Sequence, residues 1–211
     1  MHALIVLGGD APSAQLLRSC AAQADWVIAA DSGLAAFDAA GISPDLLIGD
    51  LDSVDAKVLE KFAGCVPVRK LNCIKDDTDG VDALDVAIAR GAKRITILGA
   101  LGGRLDHALA NVMLLVRASR RGVAAEICDD GVHMIRVDGT YVLEGAKGHT
   151  VSLLPLGTAR GVTLSGFFYP LHDHELTSEH PLGMSNVVTE DTAVVKVAEG
   201  DLILFHHLKA V

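Results

Sequence analysis

The chain has 211 residues, of which 50% are hydrophobic, and a formal charge of −9, so it has the apolar content to bury a real core as one large or two small domains. Lys and Arg form nothing longer than pairs such as Arg120–Arg121, which argues against a nucleic-acid backbone as partner and leaves a small anionic ligand held through a metal as the compatible alternative. Cys20, Cys65, Cys73 and Cys128 contain no C-x-x-C pair, a spacing that predicts reduced thiols rather than a zinc site or a disulfide framework.

Met1 to Leu7 is apolar but stops at Gly8-Gly9-Asp10, too short for an export signal, and reads as a first strand. No apolar run reaches the length of a membrane span. A soluble, cytoplasmic protein is expected. Up to about Asp130, short apolar runs alternate with helical patterns: ALIVL then 12–23, WVIAA then 33–40, DLLIG then 55–63, a weak VPVRKL then 79–90, ITILG then 104–121, and finally AAEIC. That alternation predicts an α/β domain over 1–130, a mostly parallel sheet with helices on both faces. From about Val132 the pattern changes to short β-rich runs between Gly, Asp and Pro turns: MIRVDGTYVLE, HTVSLLPLG, ARGVTLSG, TAVVKVAEG and DLILFHH. The expectation for 131–211 is a separate all-β, sandwich-like domain, with the seam at Asp129-Asp130-Gly131.

Carboxylates recur where the apolar runs of the first half end: Asp31 in AADSG, Asp50 and Asp52 in IGDLDS, Asp79 in KDDTD, and Asp106 in GGRLDH. In an open α/β sheet such residues gather at the carboxyl edge of the strands, where ligands bind. Several unpaired carboxylates in one crevice repel one another unless a hard cation neutralises them, and Mg2+ is the usual cation where phosphates share the site. Metal-assisted phosphoryl chemistry follows as the starting expectation.

Each motif has a plainer reading. Asp31 sits beside the free N–H groups of a helix start, suited to phosphate, but Asp and Ser also simply cap helices. The D-x-D of Asp50 and Asp52 directs two carboxylates to one side, as a divalent ion bridging phosphates requires, although D-x-D also occurs in ordinary acidic turns. Thr78 and Asp79 open a helix and Lys75 just before it is a candidate phosphate contact, whereas Asp76 and Asp77 read as capping residues. In GALGGRLDH, Gly102 and Gly103 permit close backbone approach, Arg104 offers a fork for phosphate oxygens, Asp106 a carboxylate for a metal or a nucleophile, and His107 a supporting donor. The alternative there is a glycine turn with a solvated Arg–Asp pair, the weaker reading in so apolar a segment. GGDAPSA lacks the dinucleotide fingerprint and the P-loop ending. His172, Asp173, His174, Glu175 and His180 lie between β runs without regular spacing and are expected in a solvated loop; His206 and His207 read as surface or interface residues.

In chain order, GGDAPSA, AADSGLAAFDAAGISPDLLIGDLDS, KDDTD, GALGGRLDH, GFFYPL and GMSN resemble bacterial thiamine pyrophosphokinase along nearly the whole chain. The resemblance implies transfer of an intact pyrophosphoryl group from ATP to the hydroxyl of thiamine, yielding thiamine diphosphate and AMP, in a homodimer whose thiamine lies between the catalytic domain of one subunit and the β domain of the other. It implies that Asp50, Asp52 and Asp79 hold Mg2+ with Asp31 alongside, and that Arg104 and Asp106 handle the transferring group and the nucleophile. Lys75, Thr78 and Gly103 would contact the nucleotide, and Ser185 and Asn186 the thiamine. An aromatic such as Tyr169 or Phe168 would cover the cationic ring. Two positions depart from the family pattern: Val81, where relatives often carry Glu two places after the Asp, and Val187, where an acidic residue often follows the Ser-Asn. Two other readings remain open, another Mg2+-dependent phosphotransferase or phosphohydrolase and a non-catalytic thiamine or nucleotide sensor.

Overall fold

The computed structural model describes residues 1–70, 77–180 and 182–208. The chain divides into two compact units, Met1–Asp130 and Gly131–Val211.

In the first unit β1 (His2–Val6), β2 (Trp26–Ala30), β3 (Leu46–Gly49), β4 (Val68–Lys70), β5 (Arg94–Leu98) and β6 (Ala124–Cys128) alternate with α1 (Ala14–Gln23), α2 (Leu34–Ala40), α3 (Ala56–Phe62), α4 (Asp79–Ala89) and α5 (Leu105–Ser119). The strands are parallel in the order β4-β3-β2-β1-β5-β6. The inner strands β1, β2, β3 and β5 are largely buried, near-continuous apolar runs, as a parallel sheet covered by helices requires, while the short edge strand β4 is exposed. Leu17 of α1, Leu34 and Phe37 of α2 and Phe62 of α3 pack with Leu4, Val6, Val27, Ala29 and Leu47 on one face. The alternate residues Ile5, Ile28 and Ile48 are equally buried and point to the other face, where α4 lies across β1, β2 and β3 and packs on α5. The helix starts follow capping chemistry: the Ser13, Asp55 and Thr78 side chains accept from backbone N–H groups of Leu16, of Lys57 and Val58, and of Val81, filling donors that no helical carbonyl reaches.

The strand order reverses beside β1. Moving from β1, the chain builds β2, β3 and β4 outward on one side, then returns to add β5 and β6 on the other. The loops leaving β1 and β5 therefore diverge, and the crevice between them at the carboxyl edge is the place where such a sheet binds ligands.

The second unit is all β and antiparallel: β7 (Val132–Val137), β8 (Thr140–Glu144), β9 (Thr150–Ser165), β10 (Leu171–Thr177), β11 (Asn186–Val187), β12 (Thr192–Lys196) and β13 (Glu199–His207). The 16-residue β9 pairs with β13 and β11 along its first half and with β10 and β12 along its second, so one strand serves two sheets. Leu143, Val151, Leu153, Val162, Leu164, Phe167, Leu176, Val195, Leu202 and Leu204 fill the core between them.

Two expectations need correction here. HTVSLLPLG and ARGVTLSG are one strand, because Gly157 at φ 88° bends β9, with a register shift opposite it between Glu199 and Asp201, instead of ending it. The His172–Glu175 segment is no loop: it forms most of β10, which among the described strands pairs with β9 alone and keeps residues 172–175 exposed. A strand with one neighbour and solvent beyond carries charged and polar side chains without cost. Cys20, Cys65 and Cys128 are free thiols. Among the described residues no helix is long and apolar enough to cross a membrane.

Candidate active site

A cavity of about 570 Å³ opens at the carboxyl edge of the parallel sheet, lined by the ends of β1 and β2, the turn after β3, the first residues of α4 and the segment between β5 and α5. Its floor is acidic. Asp31 directly follows β2 and begins a single 3-10 turn, Asp31–Gly33, at φ 47°. Gly49 closes β3 at φ 147°, and a Cβ there would lie 3.1 Å from the Cβ of Asp31; only glycine lets the two strand ends come so close. Leu51 then takes φ 68°, tucking its side chain against the core of the unit while Asp50 and Asp52 on either side line the cavity. A branched residue at positive φ costs on the order of 1–3 kcal/mol, and such strain collects at functional sites.

Oxygens of Asp31, Asp50 and Asp52 lie within 4.8 Å of one another. Asp31 is 9% exposed, and its Oδ1 is buried with no hydrogen-bond partner. Burial first, then the neighbouring Asp50 and Asp52, push the Asp31 carboxyl above the usual range, against the pull of the Ser32 N–H. Asp79, first residue of α4, lines the same cavity, and its carboxyl is pushed up by burial and by the charges of Asp31, Asp50, Asp82 and Asp52. A cluster of hard oxygen donors with an orphaned buried oxygen fits the donor chemistry of a divalent cation such as Mg2+.

The rim is polar and cationic. Thr78 and Gly103 line the cavity, Thr78 as N-cap of α4. Arg104, the N-cap residue of α5, lines it too. Its Nε and Nη2 donate to Asp106 Oδ1 and Oδ2 at 3.1 and 2.5 Å. Both side chains are largely solvated, 73% and 64% exposed, and Asp106 itself does not line the cavity. The guanidinium holds the Asp106 carboxyl down at about 2. The Arg104–Asp106 pair is thus largely solvated, with Arg104 at the rim of the cavity.

A family model for the thiamin pyrophosphokinase catalytic domain matches residues 17–127, and one for the thiamin pyrophosphokinase vitamin B1 binding domain matches residues 132–202. The chain belongs to the thiamin pyrophosphokinase family. It is an enzyme of that class. It is 31% identical over 183 residues to a thiamine pyrophosphokinase of Bacillus subtilis (strain 168), a match spanning 84% of this chain and 85% of that one. The solved thiamine pyrophosphokinase structure from Bacillus subtilis is similar at a TM-score of 0.85 with 27% identity, covering 99% of this chain and all of the other. The thiamin pyrophosphokinase from Geobacillus thermodenitrificans is similar at 0.82 with 28% identity, covering 100% of this chain and 99% of the other.

Of the residues singled out in the sequence, the cavity brings together Asp31, Asp50, Asp52, Thr78, Asp79, Gly102, Gly103, Arg104 and His107. Lys75 lies outside the described residues. Ser185, Asn186 and Tyr169 belong to the second unit, where Asn186 opens β11. Ser185 is exposed at φ 53°, and its N–H donates to Ser152 Oγ at 3.0 Å. The cavity adds residues that sequence reasoning passed over. Asp77, read as a capping residue, lines it; so does Asn111, whose Nδ2 is held by Ala100 O at 2.8 Å. Arg104, His107 and Asn111 are spaced i, i+3, i+7 along α5, one helical face, and that spacing was the available signal.

Proposed function

We propose that the pyrophosphokinase reaction is divided between the two units: the cavity of the first binds ATP through Mg2+, and the second presents the thiamine whose hydroxyl takes up the pyrophosphoryl group, giving thiamine diphosphate and AMP. The observation that carries this reading is the trio Asp31, Asp50 and Asp52, with oxygens within 4.8 Å of one another and one of them buried and unpartnered. With Asp79 these residues would hold the metal. Bound Mg2+ would neutralise phosphate charge, and little covalent chemistry is then asked of the protein.

The remaining residues bind and orient. Thr78, Gly103 and the N–H groups opening α4 face the nucleotide phosphates, and Lys75 joins them as a cation. Arg104 exchanges its fork from Asp106 to two oxygens of the transferring group. Asp106, paired with Arg104 in the resting structure, is freed by that exchange to orient the thiamine hydroxyl as nucleophile. Ser185, Asn186 and Tyr169 form the thiamine side, the aromatic pair Phe168 and Tyr169 covering the cationic ring.

The same reading makes the enzyme a homodimer with thiamine sites shared between subunits. Support comes from apolar side chains left in solvent in each unit: Leu105, Leu109 and Met113, four residues apart along α5, and Phe168, Tyr169, Leu182 and Met184 in the second unit. Runs of exposed apolar residues mark association surfaces. The free thiols fit a cytoplasmic enzyme.

The test is the product. Incubated with thiamine and Mg-ATP, the protein should form AMP and thiamine diphosphate in equal amounts, followed by phosphorus NMR. ADP or inorganic phosphate in place of AMP would assign a different phosphoryl transfer, and tight thiamine binding without turnover would make it a sensor.

A further inference from the structure

Asn186 is 4% exposed, yet its amide is spent on the backbone. Oδ1 accepts from the N–H groups of Tyr169 and Val187, both at 3.0 Å, and Nδ2 donates to the carbonyl of Tyr169 at 2.7 Å. Both lone pairs of Oδ1 and one of the two amide hydrogens are thereby used. The chain at 167–169 already runs antiparallel to 186–188, through the Phe167–Val188 bridge and the Phe168 N–H to Val187 O bond at 2.9 Å. The Asn186 side chain supplies the next rung, gripping Tyr169 by donor and acceptor at once. Pro170 follows, without an N–H to continue a ladder.

The grip acts on two rings. Phe168 and Tyr169 are each 64% exposed and meet edge to face, centroids 4.8 Å apart at 85°. An aromatic pair standing in solvent gains little from packing, so its direction depends on its backbone. Ser185, by contrast, is tethered by its backbone N–H and is itself exposed.

We propose that Asn186 is a positioning residue, acting on thiamine only through the Phe168–Tyr169 turn that its buried amide holds, while Ser185 and the aromatic pair make the contacts. This rests on the assignment of thiamine to this side of the second unit under the proposed function. It divides the Ser-Asn motif into a residue that touches the ligand and one that aims its neighbours.

A double-mutant cycle separates the two roles. Asn186→Ala should raise KM for thiamine about tenfold, the scale of a cation–π contact, with KM for ATP and kcat nearly unchanged. In a Phe168→Ala/Tyr169→Ala background, which should itself raise KM for thiamine, Asn186→Ala should add almost nothing. Full additivity would mean that Asn186 contacts thiamine directly and would overturn the proposal, as would an unchanged KM when both rings are removed. If Asn186→Ala fails to fold, the cycle is run with Asn186→Ser, whose shorter, uncharged side chain gives up the paired bonds to Tyr169. Ser185→Ala distinguishes the levels: if neither it nor the loss of both rings changes KM for thiamine, the thiamine assignment itself has failed, whereas a raised KM in Ser185→Ala beside an additive cycle overturns only the positioning role.

Discussion

Arg104 and Asp106 hold one another by two parallel bonds, Nε to Oδ1 at 3.1 Å and Nη2 to Oδ2 at 2.5 Å, at the mouth of a helix whose N-cap is Arg104 itself. The guanidinium fork that would grasp phosphate is thus already formed and occupied by a carboxylate of the same shape. A ligand with two suitably spaced anionic oxygens can take its place with little rearrangement.

Arg104→Lys is therefore expected to be severe. Lysine keeps the charge and loses the fork, so kcat should fall on the order of 100-fold while KM for ATP changes much less, the pattern of a contact that strengthens in the transition state. Steady-state kinetics with ATP and thiamine varied separately decide it; equal changes in kcat and KM would place Arg104 outside the reaction centre. The same variant should let the Asp106 carboxyl rise from about 2, which carbon-detected NMR titration would follow.

The acidic floor yields a prediction about stability. Burial and like charges raise the Asp31 carboxyl, so in metal-free protein its ionisation costs stability that is intact below the ordinary carboxylate range and lost as pH rises through the raised value. Asn removes that cost and tolerates the positive φ of this position. Metal-free Asp31→Asn should melt about 2–4 °C above the parent near neutral pH, the response of a chain this size to roughly 1 kcal/mol, and should lose most of the further Tm rise that Mg2+ gives the parent. An Asp31→Asn protein stabilised by Mg2+ as strongly as the parent would remove Asp31 from the metal site.

Much of this site is legible in the sequence because a parallel strand buried on both faces must stop abruptly, and the residue where it stops lies at the carboxyl edge of the sheet, where such folds bind ligands. Asp31 and Asp50 are visible for that reason. What is not visible is backbone conformation: nothing in AADSG or IGDLDS announces φ 47° at Asp31 or 68° at Leu51, beside which Asp31, Asp50 and Asp52 form a tight trio. Asn111 was hidden in the apolar run ALANVMLL because its side chain is defined by a helical face shared with Arg104 and His107. In the second half the local signals misled where topology overrode them. Glycine usually punctuates strands, but Gly157 bends β9 from one sheet into the other, and the polar β10 is a strand because β9 offers it an edge.

A histidine pair in the second unit predicts a pH dependence. His149 Nδ1 and His206 Nε2 lie 2.8 Å apart; burial, then His149, His133 and His207, lower the His206 pKa. A histidine whose folded pKa is depressed stabilises the fold above its unfolded value of about 6.5 and loses that contribution as pH falls toward the folded value. Stability measured by urea midpoint should decline below about pH 6.5, and His206→Gln should flatten the decline. An equally steep decline in the variant would show that other groups bind the protons.

A thiamine site shared between subunits would make a demand that no single-subunit site meets. Asp52→Asn damages the metal half and Ser185→Ala/Tyr169→Ala the thiamine half, so each variant alone should be nearly inactive at low thiamine. If each site draws one half from each subunit, a mixed dimer assembles one site from two intact halves and one from two damaged halves. Random exchange between equal amounts gives about half of the dimers as mixed, each with one good site of two, so activity should return to roughly a quarter of the parent value. Exchange is verified first with differently tagged chains captured together. Mixed dimers that form without regained turnover would refute the shared site, while leaving the metal role of Asp52 and the thiamine role of Ser185 to stand on their own kinetics.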